Sequence, residues 1–139
     1  MASHTGSGVV AGHKLNSLVA VAFGAVFVLV GLAGFFVSGG HHPAGTEGGE
    51  LAGLFQVNVL HNVVHLAAGA AMVAAAIVGS RQAKRANTVI GLLYLLLFVA
   101  GLFLVGTPAN VVALNDADNV LHLVLGLALT AAGLGFDRD

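Results

Sequence analysis

The chain reads as an all-α integral membrane protein, a four-helix bundle built from two repeated helical hairpins, and three observations carry that reading. Hydrophobic residues make up 58% of its 139 residues and charged residues only 8%, against about 25% charged in an average soluble domain. Four apolar runs, about 15–37, 54–79, 86–106 and 117–136, approach or exceed the roughly 20 residues that cross a ~30 Å hydrocarbon core at 1.5 Å per residue. A polar motif in the second run returns in the fourth, fifty-seven positions later.

Residues 1–14 are rich in Ser, Gly and Ala, lack periodicity, and read as a mobile cytoplasmic tail. Residues 15–139 then form the four-span membrane domain. The first span follows Lys14 and is longer than the core of a secretory signal, so it reads as retained. Its opening, Leu15-Asn16-Ser17-Leu18-Val19, resembles Ala86-Asn87-Thr88-Val89-Ile90 at the start of the third span, seventy-one positions on. The first and third spans are therefore counterparts, as the second and fourth are. An insertion in the first connection explains why the two offsets differ. That connection, 39–53, is glycine-rich and carries His41 and His42, expected as an ordinary polar loop. The second, Thr107 to Asn115, is shorter.

Glycines 24, 31 and 34 in the first span, and 133 and 135 in the fourth, read as packing surfaces. The bulky run Leu92 to Leu104, with the sole tyrosine Tyr94, reads as lipid-facing. All five basic residues, Lys14, Arg81, Lys84, Arg85 and Arg138, fall at the termini or between the second and third spans. The other two connections hold Glu47, Glu50, Asp116 and Asp118 but no Lys or Arg. By the positive-inside tendency both termini are cytoplasmic.

The repeated motif is Asn58, His61, Asn62, His65 and Gly69 in the first copy, and Asn115, Asp118, Asn119, His122 and Gly126 in the second. On a helix each set falls within about 100° of arc, one polar stripe on an oily cylinder. Ionisable groups inside spans face partners or a water-filled cavity rather than lipid. The two stripes are therefore expected to meet, with the second and fourth spans facing one another and Gly69 and Gly126 letting their backbones approach. His61 with His65, and Asp118 with His122, then offer three imidazoles and a carboxylate. That set suits four-coordinate zinc or, with one position open, iron or copper. Asn58, Asn62, Asn115 and Asn119 are placed to orient the rings from behind.

Two other readings use the same residues. A non-covalent haem b between His65 and His122 needs one histidine per side and leaves His61 unexplained. Alternatively the stripe is hydrogen-bonding glue between helices, at about 0.6 to 2 kcal/mol per contact, with Asn115 and Asp118 capping the fourth helix. In that case the protein is structural, and its lipid-facing surfaces recruit another copy or a membrane partner. The absence of cysteine excludes disulfides, thiolate metal sites, iron–sulfur clusters and covalent haem. No basic cluster suits nucleic acid. No nucleophile with a partner, phosphate-binding glycine loop or acidic pair stands out, so an enzyme here would be a metalloenzyme built on the stripe.

The stretch from Asn58 through His61-Asn62 to His65 and Gly69, paired with Asp118-Asn119 to His122 and Gly126, resembles an uncharacterised family of small four-span membrane proteins common in actinobacteria. The resemblance covers the chain from Lys14 onwards. It implies a multi-pass plasma-membrane protein with a shared fold, and it carries no activity with it.

Overall fold

The computed structural model describes residues 7–137. Its four helices are α1 (Ser7–Ser38), α2 (Val59–Val78), α3 (Ser80–Leu104) and α4 (Asp116–Gly135). All four contain a stretch long and apolar enough to cross a membrane. Their outer surfaces are oily: Phe36, Ile77 and Phe103 are 92%, 80% and 76% exposed. Side chains of that kind are stable facing lipid, with the backbone satisfied inside each helix. The molecule is a multi-pass membrane bundle.

The helices do not end where the apolar runs end. α1 starts at Ser7, inside the stretch read as a tail, and residues 1–6 lie outside the described residues. α2 starts at Val59 rather than near residue 54, because Asn58 is its N-cap and accepts from the His61 amide at 2.9 Å. Residues ahead of it instead form a small antiparallel hairpin, β1 (Gly49–Leu51) with β2 (Phe55–Val57), Glu50 opposite Gln56. α3 starts at Ser80, six residues before the apolar run, since Arg81, Lys84 and Arg85 are good helix formers that need no bilayer. Gly79 alone joins it to α2, at φ +150°. Below, the end of the bundle near Gly79 is called the basic end and the opposite one the hairpin end.

α1 packs along α2, and α3 along α4. α1 also touches α3, which touches α2, whereas α2 and α4 are not close neighbours. The cross-section is a rhombus with α1 and α3 on the short diagonal. This corrects the expectation that α2 and α4 meet through their glycines. A Cβ on Gly69 would lie 2.6 Å from the Gly24 carbonyl oxygen of α1, and one on Gly126 would lie 2.8 Å from the Leu95 side chain of α3. Each glycine thus serves its own sequential neighbour, the commonest partner for a consecutive element. Small residues mark a close approach without naming the partner.

The core draws on all four helices, with Ala20 and Phe27 of α1, Ala83 and Tyr94 of α3, Met72 of α2 and Leu129 of α4. Tyr94 corrects a second expectation. It is 3% exposed and stacks on Phe27 of α1, ring centroids 5.1 Å apart. Leu92, Leu93, Leu96 and Phe103 of the same run do face outward. At the basic end, Asn87 donates to the side-chain oxygen of Asn16 at 2.8 Å, and Asn16 donates to Asp137 at 2.7 Å. These bonds tie α1, α3 and the chain beyond α4 together.

Candidate metal centre

α2 begins at a residue whose side chain does three things. Asn58 caps the helix with its oxygen, and its amide nitrogen donates to the carbonyls of Gly45 at 3.1 Å and Val111 at 2.9 Å. The two connections at the hairpin end are thereby pinned to one point. They also pair directly, the Gly45 amide donating to Val111 at 2.8 Å. Asn58→Ala should therefore cost about 1 kcal/mol for the cap and a further ~1 kcal/mol or more for the two carbonyl contacts. A thermal melt of the detergent-solubilised protein would read this as a lowered midpoint; an unchanged one would remove the pinning role.

With that cap fixed, His61 and His65 follow one turn apart on the buried side of α2. Their rings stack at 5.0 Å between centroids, and their Nε2 atoms are 3.1 Å apart. The His61 Nδ1–H donates to the Val112 carbonyl at 2.9 Å, which leaves its Nε2 lone pair to accept from the His65 Nε2–H. That carbonyl is presented beside Ala113, a buried residue held at φ +53°. A left-handed alanine costs of order 1–2 kcal/mol, so the connection carries strain next to the site.

α4 supplies the third imidazole. Asn115 caps α4 and accepts from the Asp118 amide at 2.9 Å, while Asp118 accepts from the Asn115 amide at 3.0 Å, a reciprocal capping box. This locks the first turn and turns His122 inward. The ring of His122 lies 6.1 Å from that of His61. One ligand nitrogen from each of His61, His65 and His122 falls within 4.8 Å of the others. All three are buried, at 5%, 6% and 2% exposed.

Aromatic rings form the floor. Tyr94 meets His122 edge to face at 5.1 Å and His65 at 6.3 Å, and Phe27 meets His65 at 5.7 Å. Two cavities flank the imidazoles. One, of about 70 Å³, is bounded by Val64, Tyr94, Leu97, Val112 and the three histidines. The other, of about 220 Å³, lies under the β-hairpin and is bounded by Leu51, Phe55, Asp118, Leu121 and the same histidines. The Nδ1 atoms of His65 and His122 are buried with no hydrogen-bond partner. Buried polar atoms of that sort cost about 1–3 kcal/mol each.

The sequence-predicted residues therefore divide. His61, His65 and His122 come together. Asp118 lines the larger cavity but is outside the trio, its carboxylate engaged in the cap. None of the four asparagines bonds an imidazole ring among the described residues. Asn58 and Asn115 are caps. Asn62 donates to Ser38 at 3.1 Å and seats against Gly34 of α1, and Asn119 seats against Gly101 of α3. The ring-orienting partner is instead the Val112 carbonyl, and a backbone oxygen leaves no signature in a sequence. Tyr94 and Phe27 were also missed as site residues; a lone tyrosine inside an oily run was the available signal. His41 and His42 are exposed in the first connection, away from the trio.

A family described as a domain of unknown function, DUF4383, matches residues 17–135, and the chain belongs to that uncharacterised family. No curated protein and no solved structure matches it.

Proposed function

We propose that this member of the family is a membrane-embedded binding site for a divalent transition metal, zinc, iron or copper, with His61, His65 and His122 as its ligands. The observation that carries the reading is the 3.1 Å separation of the His61 and His65 Nε2 atoms, with a third buried imidazole at hand. Two nitrogens bound to one tetrahedral zinc at about 2.0–2.1 Å stand roughly 3.3 Å apart. The Val112 carbonyl on His61 Nδ1 is the outer partner that metal-bound imidazoles use to fix their tautomer. Of the two buried Nδ1 atoms without a partner, that of His122 is free to ligate, whereas His65 would bind through Nε2 and keep its Nδ1 unpaired.

Three nitrogens leave a fourth position open, as in sites that bind water or an exchangeable ligand. Asp118 supports the site by capping α4 rather than by ligation. Haem is disfavoured: the ring of His61 lies against both of the others, where a macrocycle would have to sit. The two cavities beside the trio, about 70 and 220 Å³, are also each below the roughly 300–1,000 Å³ of organic ligand pockets.

Sidedness follows from the charges. Lys14, Arg81, Lys84, Arg85 and Arg138 assign the basic end to the cytoplasm, with both termini, and the metal site lies beneath the outer face of the plasma membrane. A duplicated hairpin is supported by two counterpart pairs that meet each other. Asn16 and Asn87 are hydrogen-bonded at one end, and His65 and His122 share the cluster towards the other. Counterpart residues close to a twofold axis along the membrane normal meet in this way.

Metal analysis of detergent-purified protein tests the proposal. One equivalent of zinc, iron or copper per chain is expected in the wild type, and none after His65→Ala with His122→Ala. Equal trace metal in both, with the double variant still folded, would leave the histidines as interhelical glue.

A further inference from the structure

Next to the metal site, and sharing Val64, Tyr94 and Leu97 with its smaller cavity, a groove of about 350 Å³ runs between α2 and α3. Its other walls include Ala68, Leu93 and Ala100. Apart from the tyrosine ring it is wholly aliphatic, and it lies within spans that face the bilayer. Its volume falls in the range of small-ligand pockets, which are mostly apolar with a few convergent polar groups at one end. Only a molecule dissolved in the bilayer reaches such a groove from the side.

Charge decides what the polar end of that molecule is. Three neutral imidazoles around a dication carry two positive charges, and the one carboxyl among the described residues that lines either flanking cavity, Asp118, lies in the cavity on the opposite side and is engaged in the α4 cap. At least one positive charge remains uncompensated. In a low-dielectric interior an unpaired charge is expensive, and it recruits a counter-ion. Glu47 and Glu50 sit in the first connection, at the hairpin end.

We propose that the fourth position of the metal takes the carboxylate of a long-chain fatty acid, with its alkyl chain lying in the α2–α3 groove. The inference rests on the metal reading above and deepens it. One carboxylate oxygen bonds the ion and releases a bound water, with no change of oxidation state. The carboxylate's negative charge offsets that excess, and the chain replaces lipid along Ala68, Leu93 and Ala100.

Cobalt(II) is a suitable probe metal because its visible bands change with the fourth ligand. Dodecanoate added to the cobalt-loaded protein should shift those bands at one equivalent, whereas acetate and 1-dodecanol at the same concentration should not. Ala68→Phe and Ala100→Phe fill the groove. Each should bind cobalt as the wild type does and weaken dodecanoate by about tenfold or more, the effect of losing some 60 Å² of apolar contact. A diazirine-bearing dodecanoate should label the wild type at Leu93, Leu97 or Ala100. Unshifted bands, undiminished binding by the phenylalanine variants, or label spread evenly over the lipid-facing helices would overturn the fatty-acid proposal and leave the metal site intact. A wild type that takes up no cobalt would overturn both.

Discussion

Alanine at His65 is expected to lower affinity for a divalent metal by more than about 100-fold. Losing an outer-shell partner alone typically costs about 10–100-fold, and His65 is at the centre of the trio, stacked on His61 and boxed by Phe27 and Tyr94. His61→Ala and His122→Ala should behave alike, because each also leaves only two nitrogens. Replacing both His41 and His42, which are exposed in the first connection, should change nothing. Asp118→Asn is the discriminating control. Asparagine retains an oxygen for the Asn115 amide, so affinity should stay within about tenfold, whereas a ligating carboxylate would make this variant as defective as the histidine ones. Competition against a chromophoric chelator, with size exclusion to monitor folding, gives all five numbers. Unfolding of the histidine variants without any metal in the wild type would favour the glue reading.

Valine at Gly34 or Gly101 is expected to give a large loss of stability. A Cβ at Gly34 would overlap the side-chain amide of Asn62, and one at Gly101 would overlap that of Asn119. Neither amide has room to retreat: Asn62 is 1% exposed and bonded to Ser38, and Asn119 is 6% exposed. Overpacking costs about 1–3 kcal/mol, and displacing the Asn62 amide from Ser38 adds about 1–3 kcal/mol for a buried group left unpaired. Because Asn62 lies between His61 and His65 on α2, Gly34→Val should weaken metal binding as well. Gly39→Ala meets nothing within 4 Å and should fall within about 0.5 kcal/mol of the wild type. Unfolding in mixed micelles would rank the three; equal midpoints would show that helix separation is not set by these glycines.

What could be read from the chain alone was whatever depends on local periodicity. Crossing a bilayer needs about 20 apolar residues whatever else happens, so the four spans were legible from run lengths. Histidines four apart share a helix face, so His61 and His65 were legible as a pair and His122 as their counterpart. Helix limits were less legible, because hydropathy reports the bilayer and not the hydrogen-bond ladder. Arg81, Lys84 and Arg85 sit inside α3 for that reason, and Asn58 ends a hairpin that no apolar pattern announces. The roles of the asparagines depend on what lies opposite them. Asn62 and Asn119 look identical to ring-orienting residues until Gly34 and Gly101 are seen against them. Tyr94 was misread because one residue turned inward among leucines barely changes the pattern of the run.

X-ray absorption at the edge of the bound metal, on protein purified without added chelator, bears most directly on the account. It predicts three imidazole nitrogens at about 2.0–2.1 Å, with the outer-shell scattering of imidazole rings, and one oxygen completing four-coordination. An all-oxygen shell without imidazole scattering, or two nitrogens on a single axis of a macrocycle, would contradict it.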